Sequence, residues 1–172
     1  MRKDDMDQVP DRWQSRVDAV WDDDALHERE RITRIDEIAA ELDAGHPVAL
    51  FERAGARDSA GEEEAAEPLY RAALDAGLDP ERRTQAVIQL ASTIRNLGRV
   101  DESLALLADE YERTRGRPLA DEAAAFFALA LVSSGDATRG ASIALTALAP
   151  HLNRYTRSVT GYAAELLEGP GA

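Results

Sequence analysis

Cysteine is absent, and lysine nearly so: Lys3 stands alone beside nineteen arginines. The first absence removes disulfide frameworks, thiolate nucleophiles and Cys-ligated zinc, and leaves the compartment open. Aromatic residues are scarce at 5% of the 172 residues, whereas hydrophobic residues reach 44%. The core must therefore come from Ala, Leu, Val and Ile, which suits closely packed helices. Clustered positive charge is missing too. The formal charge is −13, with 16 acids and 9 bases in residues 1–60 and 17 acids and 11 bases in residues 61–172. Phosphate backbones and anionic membrane surfaces attract clustered Arg or Lys, so no nucleic acid and no membrane is expected as partner. A basic or neutral partner fits better. The opening MRKDDMDQVPDRW lacks an apolar signal core, and no apolar run approaches the length of a membrane span. A cytoplasmic protein is expected.

Chemistry-bearing patterns are equally thin. His27, His46 and His151 are far apart and none belongs to a metal-spaced pair, so no metal site is expected. HERER at 27–31 lacks the second histidine four residues on that a metalloprotease helix needs. Glu62, Glu63 and Glu64 suit the first turn of a helix, where carboxylates complement the dipole, better than a catalytic pair. No Gly-rich phosphate loop is present, and neither a cofactor nor an enzymatic activity is expected. Arg113, Arg115 and Arg117 are ordinary dipole complements at a helix C-terminus before they are an anion site.

What the chain does have is a spacing. Gly61, Gly98 and Gly135 recur at intervals of 37 residues, each between two segments of helical apolar periodicity. Ala54, Ala91 and Ala128 keep the interval, as do Ala49, Ala86 and Ala123, and the column Ala66, Ser103, Gly140 is always small. Small residues let two helices approach closely, and a glycine permits a tight reversal between them. Each unit reads as a helical hairpin. Pro47, Pro80 and Pro118 fall where the first helix of each hairpin should start, a position that tolerates the missing N–H.

The pattern predicts helices near 47–59, 62–76, 81–97, 100–115, 119–134 and 137–149. Ser59 and Glu62 have the spacing of a capping box, and Pro68 should kink its helix. Two helices should come first, one with Trp13, Val17, Val20 and Trp21 on a face and one with Leu26, Ile32, Ile35, Ile38 and Leu42, joined at Asp22–Asp24. Leu152, Tyr155, Val159, Tyr162 and Leu166 predict a final helix from near Pro150 that covers the open end of the stack. The expected organisation is one domain: N-terminal helices in 1–46, then 47–172 with hairpins at 47–79, 80–117 and 118–150 and a capping helix at 151–168.

These residues resemble tetratricopeptide repeats, whose signature is W-x2-L-G-x2-Y, a Gly turn and A-x3-F. The middle unit carries the resemblance best, through Val87, Leu90, Ala91, Ile94, Gly98, Ser103 and Leu107. The third gives Ala124, Phe127, Ala128, Leu131, Gly135, Gly140 and Ala144. The first gives Leu50, Ala54, Gly61, Ala66 and Tyr70, but has Arg53 and Arg57 where apolar residues belong. Stretches such as LASTIRNLGRVDESLALL are similar to small bacterial single-domain members of the family.

The resemblance implies an all-α fold, a right-handed α–α superhelix of about three hairpins between N-terminal helices and a C-terminal capping helix. It also implies an adaptor that holds a protein or peptide in a concave groove lined by the first helix of each hairpin. Mapped onto this chain, the lining would be Glu52, Gln85, Gln89, Ser92, Arg95, Asn96, Glu122, Leu129 and Ser133. The lysine clamp some relatives use for a C-terminal carboxylate has no counterpart except Arg95. The alternative is a self-assembling protein, a homodimer through its terminal helices, with a small-ligand sensor ranked behind it.

Overall fold

A computed structural model describes residues 9–168, and among these every regular element is helical. The α-helices are α1 (Asp11–Trp21), α2 (Glu28–Ala39), α3 (Pro47–Ser59), α4 (Glu63–Ala76), α5 (Pro80–Asn96), α6 (Val100–Thr114), α7 (Ala120–Ser133), α8 (Ala137–Leu148) and α9 (Thr156–Glu168). A short 3₁₀ turn (Ala149–His151) precedes α9. The chain divides into two compact units, one ending at Thr93 and the other starting at Ile94, within α5.

In the first unit α1 packs on α2, α2 on α3 and α3 on α4. Trp13, Val17 and Val20, spaced four and three apart, form the buried face of α1 and join Leu26, Ile35, Ile38, Val48 and Ala56 in one apolar cluster. The Trp13 indole donates to the Ile38 carbonyl at 2.8 Å, so this large side chain is buried with its one polar atom satisfied. Trp21 turns to α3 instead: its Nε1 donates to Glu52 at 2.9 Å, and Arg31 lies over its ring at 5.7 Å. Asp23 closes the acidic junction by accepting from the Ala25 and Leu26 amides.

Arg53 and Arg57, which break the repeat pattern, have a partner outside it. Both donate to Asp36 on α2, Arg53 through Nε at 2.9 Å and Arg57 through Nη2 at 2.8 Å. Partial burial pushes the Asp36 carboxyl up, but the hydrogen bonds and charges of Arg57 and Arg53 outweigh it and hold it below the usual carboxylate value.

The predicted capping box is not formed. Ser59 is the last residue of α3, and its hydroxyl donates back to the Ala56 carbonyl at 3.0 Å. A serine at a C-terminus finds free carbonyls rather than free amides, so it cannot cap the helix that follows. Helix α4 runs on through Pro68.

The glycine column is a column of identical turns. Gly61, Gly98 and Gly135 have φ of 72°, 83° and 96°, a region where a Cβ would be strained. At each, the amide of the next residue reaches five residues back, Glu62 to Arg57, Arg99 to Ile94 and Asp136 to Leu131, at 2.9, 3.1 and 2.9 Å. That is the Schellman closure of a helix C-terminus, made three times at the repeat interval.

In the second unit α6 packs on α7, α7 on α8 and α8 on α9. Tyr111 and Phe127 stack at 5.3 Å, and Leu107 and Leu131 are buried. The small column explains itself at Gly140, where a Cβ would come 2.8 Å from the Ala128 carbonyl oxygen and 3.1 Å from the Val132 side chain. The final helix starts at Thr156, not near Pro150, which lies in the 3₁₀ turn. Its predicted covering face is only partly buried, with Leu152 and Val159 half-buried. Tyr155, Tyr162 and Leu166 are exposed, and Ala163 is the residue of α9 that is enclosed.

Candidate functional site

Two helix faces carry the polar residues that the repeat pattern selects. In the first unit Gln85, Gln89 and Ser92 follow one another on α5 at intervals of four and three, so they share a face, and all three are partly buried. Gln89 is engaged: its Oε1 accepts from the Tyr70 hydroxyl at 2.6 Å. Glu52 is withdrawn from any exposed lining, only 7% accessible and bonded to Trp21. Burial pushes its carboxyl above the usual value, against the pull of the Trp21 hydrogen bond.

Behind that face lies a partly buried polar knot that the sequence did not disclose. Asp58 accepts from Thr93 Oγ1 at 2.9 Å and lies 3.3 Å from the Tyr70 hydroxyl, and Thr93 also donates toward the Gln89 carbonyl at 3.0 Å. Burial raises the Asp58 carboxyl, with Thr93 and Tyr70 opposing, and burial again pushes the Tyr70 phenol far above its ordinary range. Every member is bonded to another, so the knot joins α3, α4 and α5 and its groups are spent on one another. The 35 residues between Asp58 and Thr93 explain why no local motif betrays it.

In the second unit Arg95 is partly buried and Asn96 exposed at the end of α5. On α7, Glu122, Leu129 and Ser133 are all exposed, at intervals of seven and four that place them on one face. Ser133 turns its hydroxyl to the Leu129 carbonyl at 3.0 Å, so it presents little donor capacity outward. The face is more apolar than expected, because Val132 joins Leu129 at 52% and 48% exposure. The opposite side of α7, with Ala123, Phe127, Ala130 and Leu131, is buried. A signal for this was present in AFFALALV, which is apolar all round where a helix with one buried stripe needs polar residues outside.

Arg113 and Arg115 do not gather an anion site. They pair within their own helix end, Arg113 with Glu110 and Arg115 with Glu112. Among the described residues no group of three or more His, Asp or Glu side chains is placed to hold a metal ion. No helix among them is long and apolar enough to cross a membrane.

Paired helices closed by one repeated glycine turn, with polar and apolar residues exposed on the first helix of a pair, define a helical-repeat protein. Residues 47–166 match the family model described as "Tetratrico peptide repeat", and the chain belongs to that family. The match continues past the third glycine turn into α9. A comparison with curated proteins finds no match. Members of the family serve in general as protein-interaction modules and typically act as scaffolds or adaptors without catalysis.

Proposed function

We propose that this protein is an adaptor that holds an extended peptide segment of a partner protein against the exposed face of α7. The observation that carries this reading is the pair Leu129 and Val132, exposed on a helix whose other side is fully packed. Exposed aliphatic side chains on a rigid helix supply binding energy without ordering cost. Asp121 and Glu122 at the head of the same helix, in a chain of charge −13, favour a segment that pairs apolar residues with basic ones. Glu52 has no part in it, being held by Trp21.

The test is a peptide array of mixed apolar–basic and apolar–acidic segments, probed with wild type, Leu129→Ser and Glu122→Lys. Wild type is expected to retain apolar–basic peptides, Leu129→Ser to lose them broadly, and Glu122→Lys to lose the basic preference. Both positions are exposed, so stability should change by no more than about 0.5 kcal/mol. Equal retention by all three proteins removes α7 from the site.

A further inference from the structure

Helix α9 uses one side only. Ala163 is enclosed and its carbonyl accepts from Ser142 on α8 at 2.6 Å, which fixes the helix to its neighbour. Bordering that contact, Tyr162 and Leu166 are exposed four residues apart on α9, and Tyr155 is exposed immediately before the helix, the two tyrosines at 64% (Tyr162) and 74% (Tyr155). Tyr155 also holds a φ of 69°, a strained position for a side-chain-bearing residue, and among the described residues its side chain stays exposed. Exposed tyrosines beside an exposed leucine are good interface anchors, and the surrounding charges select the surface that covers them.

Arg157 stands in the first turn of the helix and Arg154 two residues before it, and Glu165 and Glu168 stand at its C-terminal end. This is the reverse of what the helix dipole favours, since cations lie at its positive end and anions at its negative end. None of the four makes an ion pair with another described residue, whereas Arg34 and Arg71 pair along their own helices. A second α9 laid antiparallel across the first brings each basic end beside an acidic end, and each dipole end beside its opposite. A parallel copy would stack like on like. The segment is also locally neutral within a chain of charge −13, so two copies approach here against the least repulsion.

We propose that α9 pairs with α9 of a second copy about a two-fold axis, antiparallel, with Tyr155, Tyr162 and Leu166 at the seam. The pairing is weak. A helix of this length is about 20 Å long, and one helix per copy covers less than the roughly 800 Å² per partner of a stable interface. This surface is distinct from the α7 face proposed for peptide.

Sedimentation equilibrium of the full chain from about 5 to 500 µM is expected to give a monomer–dimer equilibrium with a Kd of order 10–100 µM. Tyr162→Ser should weaken it more than about tenfold without loss of helical circular dichroism, because that side chain is exposed. Arg154→Glu with Arg157→Glu should weaken dimerisation, and so should Glu165→Arg with Glu168→Arg. The second pair makes the chain less negative, so general charge repulsion alone would predict the opposite. All four substitutions together restore the complementary ends at the original net charge and should restore the dimer. Leu129→Ser should leave it unchanged, which separates failure here from failure of the peptide reading. A chain monomeric throughout, a dimer indifferent to Tyr162→Ser, or a fourfold exchange that fails to restore association would overturn the proposal.

Discussion

A carboxylate enclosed beside an indole is stable only as far as its hydrogen bonds offset lost hydration, and at Glu52 they do so in part. Burial raises its folded-state value above that of the unfolded chain, so its contribution is complete below the unfolded value and declines as pH rises through the folded one. Glu52→Gln keeps an acceptor for Trp21 and removes the buried charge. We expect it to raise the thermal midpoint at neutral pH, with the advantage vanishing as pH falls below the carboxylate range. Melts followed by circular dichroism at both pH values check this, and equal midpoints at neutral pH would contradict it. Asp58 shares the sign of Glu52, whereas Asp36, held low by Arg57 and Arg53, contributes above the unfolded carboxylate value and loses that contribution in acid.

Among elements, the α7–α8 pair offers the sharpest test of close approach. Alanine normally improves a helix interior over glycine by about 1 kcal/mol. At Gly140 the added methyl would press on the Ala128 carbonyl oxygen, a backbone atom that cannot step aside. Gly140→Ala should therefore destabilise the protein by about 1–3 kcal/mol, as overpacking does, measured by urea unfolding. A stabilised variant would show that the two helices separate freely. The same contact tells why this fold was legible in sequence. Turn glycines and small contact residues are dictated by local backbone geometry, and they recur with the unit, so the hairpins could be read to within a residue or two of their ends.

Features set by distant partners were not legible. Nothing near Arg53 points to Asp36, seventeen residues away, and nothing near Glu52 points to Trp21, so a first repeat that looks degenerate is one adapted to α2 and α1. The last helix packs on α8 as its position at the end of the repeats suggests, but its apolar spacing does not say how much of the stripe the chain itself covers. Leu152 and Val159 are half-buried, and Tyr155, Tyr162 and Leu166 are exposed. Of the residues mapped onto a lining, Glu122, Leu129 and Ser133 are exposed on α7, whereas Glu52 is buried.

At the scale of the whole molecule the net charge of −13 sets the response to salt. Ion pairs such as Arg16–Glu41 and Arg115–Glu112 are between largely exposed groups, and such pairs contribute little. Screening should then relieve more repulsion than it removes attraction. Raising salt from about 20 to about 200 mM is expected to raise the thermal midpoint, and a fall would mean that the ion pairs outweigh the net charge.

Both tryptophans of the chain, Trp13 and Trp21, lie in α1, one donating to a carbonyl of α2 and the other to a carboxylate of α3. Indole emission is thus an optical reporter of the first compact unit alone, and melting of α6 to α9 is silent in it. Circular dichroism sees all nine described helices. Superimposable denaturation curves from the two signals would identify a single cooperative transition, whereas curves that part company would resolve two, with the wavelength itself saying which unit yields first.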